Sequence, residues 1–581
     1  MNELKATVLV KVVKVIEPNN KMSFDINRND LYSLEHALSV KDKRHNFLSV
    51  MSMGSKETIG FLQRMYNYGV DESIVLEDAC FAGADTAATA RVLAAAIKKS
   101  NIDLVFLGKE STDSSTAQVP AQIADYLGYN LVYNVSAVEL DEENCAICTF
   151  EKENEVICAK YSLPLIVVSS INCNHLRVPK IKNYLEAKDK VVKVFGREDL
   201  GVDGELCGNK GSFTKVVRVD DVIKDSNCEE ITGDYEEFIL EKINESKCIK
   251  SQTCTKDKHG VCKEDFDKKV VVIGDFIDNY TFEAFRRMVA GIVKLAGERN
   301  VSVLLFGEDS KYAGELSTIG VDRIYVSDIS KNGLDYLYMG KRVASVIKKI
   351  VATEVLYACT YLMRIIAPIV AAELEVGLTA DCTSIYYEKN ILNVVRPTFG
   401  ESKMATIQCC KNYPHMATLR IGCFGEEVSS NEEAIVQHVA SDVKEENNSG
   451  IAIIRTDSIE QLSWDKKVIM IAGAGLKSES ISLLERIAGA LNCDFGVTRP
   501  VVDKGIKSYN YQVGQTGRNV IHDLYISFGV SGALEHVVGI GKRTKVIAVN
   551  TDSNCEMKKW SHYFINADAN EIINLLAGRI L

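Results

Sequence analysis

Nothing in this 581-residue chain runs apolar for the roughly 18 residues that a membrane-spanning helix requires. Its start, MNELKATVLVKVVKVIE, is too polar for a secretory signal and reads as the approach to a strand, so a cytoplasmic protein is expected. A basic excess is missing too. Lys and Arg number 68 against 79 Asp and Glu, a net charge of −11, which argues against the basic face of a nucleic-acid binder. Metal-ligand spacing is absent among the 17 cysteines. Cys145 and Cys148 form a Cys-x-x-Cys, but NCAICTFEK alternates as a strand does, and residues three apart on a strand point to opposite faces. Cys248, Cys254 and Cys262 are spaced too widely for an iron–sulfur run. An odd number of thiols without a secretion signal reads as reduced side chains. No nucleophile stands beside a base and an orienting group, so hydrolytic chemistry has no support.

What the chain does have is ordinary globular composition, 46% hydrophobic and 25% charged, at a length that implies about three or four domains of roughly 150 residues. Val/Ile/Leu-rich strands alternate with helical patterns throughout, the signature of α/β architecture with mostly parallel sheets. An internal repeat is present. GVDESIVLED (69–78) recurs as GVDRIYVSD (320–328), VPAQIADYLGYNLVYNVSAVEL as APIVAAELEVGLTADCTSIYY, and KYSLPLIVVSSINCNHLRVP as KMATIQCCKNYPHMATLRIG, each about 250 residues later. These patterns divide the chain into a nucleotide-binding α/β domain (1–195), an extended arm and charged linker (196–267), a second copy of the first domain (268–430), and a polar connector followed by a different α/β domain (431–581). Gly201, Gly204, Gly208 and Gly211 mark turns in the arm. The stretch up to Lys269 is acidic, then basic, and poor in large apolar groups, as a surface linker is.

The last domain carries the densest chemistry. KKVIMIAGAGLKSESISLLERIAGAL reads as a buried strand, a glycine turn at Gly473-Ala474-Gly475 and an amphipathic helix, so backbone amides and a helix N-terminus face a ligand at the strand end. DLYISFG closes at Gly529 and a second helix opens at Ser531-Gly532; KVIAVNTDSN ends in Asn550 and Asp552. Three strand C-termini of this kind on one sheet edge are where open α/β sheets bind dinucleotides, and a bound redox cofactor is the better reading.

TRPVVDKGIKSYNYQVGQTGRNVIHDLYISFGVSGALEHVVGIG followed by KVIAVNTD resembles the FAD domain of the electron transfer flavoprotein (ETF) α subunit. GLTADCTSI, VVRPTFG and MATLR, between Gly377 and Arg420, resemble the first domain of that subunit. The front half is similar to the ETF β subunit: SMGSKETIGFLQRMYNYGVDESIVLED, FAGADTAATARVLAAAIKK, LGKESTDSSTAQV and GREDLGVDGELCGNKGSFTKVVRV fall in the family's order. The resemblance spans nearly the whole chain and implies a β–α fusion joined near residues 220–268. It implies two related doubly wound domains plus a flavodoxin- or Rossmann-like FAD domain, an FAD-dependent electron carrier, and a partner flavin dehydrogenase of the acyl-CoA dehydrogenase type. Ferredoxin or a quinone reductase is a further possible partner.

The same resemblance implies an FAD-binding set of Gly473, Gly475, Lys477, Ser478, Thr498, Arg499, Gln512, Val513, Gly514, Gln515, Thr516, Gly517, Ser531, Gly532, Ala533, His536, Asn550 and Asp568. Arg499 is expected against the flavin ring, the Thr516 hydroxyl at flavin N5, and His536 at the pyrimidine O2, where it stabilises charge on reduced flavin. Gln512, Gln515 and Gly517 are expected to hold the bent dinucleotide, and Asn550 and Asp568 its adenosine half. The family's Gly-Arg-Gly is here Gly473-Ala474-Gly475, its Ser before Arg499 is Thr498, its Gln before His536 is Glu535, and its Lys after Asn550 is Thr551. Each change removes positive or adds negative charge, or alters a contact, beside an anionic cofactor.

A second nucleotide site is expected in the first half, from Val13, Gly83, Asp85, Thr86, Asp113, Thr116, Gln118 and Val119. Gly83-Ala84-Asp85-Thr86 and TDSSTAQV each open a helix and supply glycine, hydroxyls and free amides, a cradle for phosphate or an ordinary pair of N-caps. In the family this site holds AMP in simple carriers and a second FAD, reduced by NADH, in electron-bifurcating members. The bifurcating Asp-Gly-Asp-Thr is here Asp113-Ser114-Ser115-Thr116, and an early Val-Lys-Gln-Val-Pro survives only as Val13-Lys14-Val15-Ile16-Glu17. Both ligands stay open, as does a redox-inactive nucleotide-binding protein.

Overall fold

The computed structural model describes residues 4–16, 22–153, 155–171, 173–221, 228–248, 254–255, 268–297, 299–398, 403–424, 428–430, 432–444, 450–458, 462, 464–514, 517–537, 539–541 and 543–581. Two of its sheets share one strand order. The first runs Glu72–Leu76, Phe47–Met53, Lys5–Leu9, Leu104–Gly108, Leu165–Ser169, Asn130–Leu140, all parallel. The second runs Arg323–Ser327, Asn300–Leu305, Lys269–Ile273, Glu354–Ala358, His415–Leu419, Leu378–Cys382 in the same sense. Their central strands, such as VVVI of Val270–Ile273 and LVFLG of Leu104–Gly108, are buried on both faces, which is why they read as unbroken apolar runs.

The repeat extends to helix ends. Asp85 caps helix Thr86–Ser100 through the Ala88 amide, and Asp335 caps Tyr336–Ile350 through Tyr338, while Asn101 and Val351 end the two helices in left-handed conformation. These helices and their neighbours Val119–Leu127 and Tyr361–Glu373 pack between the two sheets, so Leu93, Ile97, Val343, Ile347, Ile366 and Ile369 belong to one continuous core. Gly340 permits the close approach: a Cβ there would lie 2.4 Å from Ile369 Cγ2.

Segments expected as arm, linker and connector are knitted into the sheets. Strand Thr214–Asp221 pairs antiparallel with Lys403–Cys409 in a four-stranded sheet. Ile435–Val439 extends the second sheet beside Arg323–Ser327, and Ile451–Ser458 pairs antiparallel with Glu155–Tyr161 at the edge of the first. Within the stretch read as a charged linker, Glu229–Glu230 pairs with Tyr563–Asn566, and helix Tyr235–Cys248 buries Ile239 and Ile243 completely against the third sheet. Cys145 precedes strand Ala146–Lys152, in which Cys148 is buried. No described helix is long and apolar enough to cross a membrane.

The third sheet is wholly parallel: Glu229–Glu230, Tyr563–Asn566, Lys545–Asn550, Leu524–Phe528, Val468–Ala472, Asp494–Thr498, Gln512–Val513. Its order reverses between Val468–Ala472 and Leu524–Phe528, so the crevice for a ligand opens where those two strands end.

Candidate functional site

At that reversal the two strand-end loops touch backbone to backbone. The Gly473 amide donates to Phe528 O (2.8 Å) and the Gly475 amide to Gly529 O (3.2 Å). A Cβ on Gly473 would stand 2.1 Å from Gly529 O, so only glycine fits; the glycine turn is demanded first by the neighbouring loop. Gly529 and Gly532 take φ of 64° and 82°, and a Cβ on Gly532 would meet the Met557 amide at 2.1 Å. The Asn550 amide group donates to Val530 O (2.9 Å) and ties the third strand end to this floor.

Around the floor lies a cavity of about 700 Å³. Of the expected FAD-binding set it is lined by Gly475, Thr498, Arg499, Gln512, Val513, Gly514, Ser531, Ala533, His536 and Asn550. Gly473, Gly517 and Gly532 shape the adjoining backbone; a Cβ on Gly517 would lie 2.3 Å from Gln512 O. Lys477, Ser478 and Asp568 stand aside from this lining: Lys477 precedes helix Ser478–Ala490 and its amide donates to Asn570 Oδ1, while Asp568 caps helix Ala569–Ile580 through the Asn570 amide. Gln515 and Thr516 lie outside the described residues. Sequence reasoning did not select Pro500, Val530, Asn554, Cys555 or Glu556, which complete the wall; the run after Asn550 is polar without period, and nothing local marks it.

Two groups bear on what fits there. The Thr498 hydroxyl is buried and has no hydrogen-bond partner, a polar atom left for a ligand. His536 is buried with both ring nitrogens engaged: Nε2 lies 2.6 Å from Tyr525 Oη and Nδ1 3.1 Å from Val513 O. A carbonyl can only accept, so Nδ1 carries the proton and Nε2 accepts from the tyrosine. Burial lowers the His536 pKa to about 4, with the Val513 carbonyl opposing. The ring is therefore neutral as folded, with both nitrogens engaged inside the protein at the cavity wall. Arg499, half-exposed and 3.5 Å from Asp503, lines the cavity with Asp552 and Glu556. A cavity of this volume, floored by glycines at the strand ends and holding an orphan hydroxyl, fits a flavin dinucleotide.

The His536 environment has a measurable consequence. The folded state holds its proton more weakly than the unfolded chain, so the contribution is complete above about pH 6.5 and is lost as pH falls toward 4. For the FAD-free protein the third sheet's unfolding transition is expected to lose up to about 3 kcal/mol across that window. His536→Gln should flatten the profile, and a wild-type profile already flat in urea titrations from pH 7 to 4 would contradict the assignment.

A second cavity, about 570 Å³, opens at the C-terminal edge of the first sheet. Gly83, Asp85, Thr86, Thr116, Gln118 and Val119 line it; Val13 and Asp113 do not. Val13 is buried in the hairpin strand Val12–Ile16, and Asp113 pairs with Lys11 at 2.8 Å. Asp85 is committed to the arm. Its Oδ2 accepts from the Phe213 and Thr214 amides (2.8 and 3.0 Å) and the Thr214 hydroxyl (3.1 Å). Thr86 donates to Gln118 Oε1 (2.8 Å), and Gln118 Nε2 to Leu378 O (3.2 Å). The roof comes from the second repeat through Leu378, Thr379, Ala380, Arg396 and Thr398, and the floor includes Asp30 and Lys109, none of them selected from sequence. Burial pushes the Asp30 carboxyl up to about 7, against the Lys11 amide and Asn27, and burial lowers the Lys109 ammonium.

The fold and the crevice define an α/β protein of two repeated units and a third sheet, doubly wound, with a cavity at its order reversal. Comparison with known proteins assigns the family. The profile described as "Electron transfer flavoprotein domain" matches residues 19–200 and again 277–444, and "Electron transfer flavoprotein FAD-binding domain" matches 464–541. The chain is 36% identical over 212 residues to the electron transfer flavoprotein subunit beta of Clostridium acetobutylicum, covering 36% of this chain and 78% of that one. It is 30% identical over 245 residues to the subunit alpha of Thermoanaerobacterium thermosaccharolyticum, covering 41% and 74%. With the protein FixB of Clostridium saccharobutylicum it shares 37% identity over 225 residues, 37% of this chain and 66% of that protein, so the match spans a little under two thirds of that relative's length. The chain belongs to the electron transfer flavoprotein family, with β-type and α-type parts fused in one polypeptide.

Proposed function

We propose that this chain is an electron carrier in which FAD, bound at the third sheet, receives electrons from a partner flavin dehydrogenase and passes them to a second redox partner. The observation that carries the reading is the cavity at the strand-order reversal, with its glycine floor and orphan Thr498 hydroxyl, in a stretch that matches the family's FAD-binding domain. Bound flavin supplies one- and two-electron chemistry; the chain's own part is to hold it, with Arg499 the cation and His536 the neutral donor beside it. A partner surface is available on the first unit. Helix Ile181–Glu186 and its flanks expose Val178, Ile181, Tyr184, Leu185 and Val191, an apolar patch of the kind that docks another protein. An acyl-CoA dehydrogenase-type partner follows from the family alone, as does reorientation of the third unit between partners. Residues 1–195, 268–430 and 431–581 are the proposed domains.

A second reading is favoured by the composite cavity of the first sheet: a second FAD there, with NADH as reductant, makes the chain an electron-bifurcating protein, with ferredoxin as one possible acceptor. AMP at the same place leaves a simple carrier. The deciding measurement is FAD per chain in FAD-saturated protein, from absorbance after denaturation, with NADH added to the intact sample. Two FAD bleached rapidly by NADH support bifurcation; one FAD with AMP released and no NADH reaction supports the simple carrier. A colourless protein that binds AMP would refute both in favour of a redox-inactive nucleotide-binding protein.

A further inference from the structure

The third sheet is held against the second repeat at the end opposite its cavity. Ile521–Asp523 lead into strand Leu524–Phe528 at the sheet's N-terminal edge, whereas the cavity opens where that strand ends. Tyr280, in the first turn of helix Asn279–Ala296 of the second repeat, reaches this edge. Its hydroxyl accepts the Ile521 amide at 3.2 Å and lies 3.2 Å from His522 Nδ1. The His522 side chain is wholly buried, and its Nε2 sits 2.8 Å from Asp494 Oδ2, which also accepts the Lys466 amide at 2.9 Å.

One arrangement satisfies every group. His522 donates from Nε2 to the carboxylate, Nδ1 accepts from the tyrosine hydroxyl, and that hydroxyl is filled by Ile521. Two further contacts cross the same seam. Arg287 Nη1 lies 3.4 Å from Asp523 Oδ1, and Gly422, at φ 87°, lets the second repeat close on Ile521, because a Cβ there would fall 2.6 Å from Ile521 Cγ2.

We infer that this junction is a latch: Tyr280 seats on His522 to dock the FAD-binding unit in a single orientation, and reorienting that unit requires the tyrosine hydroxyl to leave the histidine. Hydrogen bonds are directional, so the relay selects an orientation that an apolar seam alone would leave loose. Each bond is worth little net, since water replaces both partners once the faces part, so the latch opens without large cost. The latch also leaves the mouth of the cavity clear, since it grips the opposite edge. Its bearing on electron delivery rests on the proposed carrier role; the latch itself does not, and its test needs no redox partner.

The test compares the full-length FAD-bound protein with Tyr280→Phe, which removes one hydroxyl and keeps the ring. The readouts are amide exchange and solution scattering. Exchange is read in residues 276–282 and 420–424, on the second repeat's side of the seam, where no amide bonds to the Tyr280 hydroxyl. The latch predicts roughly tenfold faster exchange there, a larger radius of gyration, unchanged exchange in strand Val468–Ala472 and unchanged FAD content. Unchanged exchange at the seam together with an unchanged radius overturns the latch. Should strand Val468–Ala472 also exchange faster, Arg287→Gln decides, because it loosens the same seam from its partly exposed side. Faster exchange confined to the seam then supports the latch, and none overturns it.

Discussion

Gly473→Ala is expected to cost the chain its FAD and to lower the melting temperature of the third unit, although it adds a single methyl group. The added carbon would stand 2.1 Å from Gly529 O and 2.6 Å from the Val530 amide, and both neighbours are backbone. A side chain in that position could rotate aside; a carbonyl at the end of a central strand cannot. Relief requires separating the loops after Val468–Ala472 and Leu524–Phe528, the two strands between which the sheet order reverses. Overpacking of this kind costs about 1–3 kcal/mol where side chains give way, and more where backbone must. At roughly 2–4 °C per kcal/mol for a unit of about 150 residues, the shift is visible by calorimetry. Gly489→Ala is the control. That residue lies in helix Ser478–Ala490 with nothing within 4 Å, so alanine should stabilise by about 0.5–1 kcal/mol and leave FAD in place. If Gly473→Ala retains FAD and melts with wild type, the contact between the loops does not build the site.

That contact also explains which features were readable in advance. Strands such as VIMIA and LYISF announce themselves because both their faces are buried, and their ends announce the site because glycine, serine and asparagine interrupt them there. Helix Tyr235–Cys248 is obscured by its charge: YEEFILEKINESKC buries Ile239 and Ile243, one turn apart, but the acidic face around them dominates composition and gives the stretch the look of a linker. The second cavity was half legible for a different reason. Helix openings at Thr86 and Val119 are local signals, whereas its roof depends on Arg396 reaching Ser114, 282 positions away, and on Gln118 reaching Leu378, 260 away. No local pattern encodes such pairings. Asp85 shows a contact of the same long range: it lines the cavity as its place before a helix suggests, and its Oδ2 also ties down the arm through the Phe213 and Thr214 amides, which no local pattern announces.

Asp381→Asn is expected to be among the most damaging single substitutions in the seam between the two repeats. Asp381 is buried in strand Leu378–Cys382, where Arg420 Nε and Nη2 donate to its two oxygens at 3.0 and 2.5 Å, and Arg364 Nη2 lies 3.4 Å from Oδ1. Burial alone would raise its pKa, but Arg364, Arg420 and Arg396 together hold the carboxyl far below the usual range. Neutralising it leaves three guanidinium groups close together with their common anion gone, and breaking a buried pair from one side costs about 3–5 kcal/mol. The damage should reach the second cavity. Arg396 donates to Ser114 O and Ser115 O at 2.6 and 3.3 Å, which fixes the loop that supplies Thr116 and Gln118. Binding of the nucleotide proposed for that cavity, read with added AMP or FAD, should therefore weaken while FAD at the third sheet is kept. The pH dependence separates this effect from that of His536. A carboxyl with a depressed pKa stabilises the fold at all pH values above its unfolded-state pKa of about 4, and the contribution is lost as pH falls further. The penalty of Asp381→Asn should thus be constant from about pH 8 to 5, where the His536 contribution is already changing. A penalty that vanishes at neutral pH would mean that the three arginines are held by something other than Asp381.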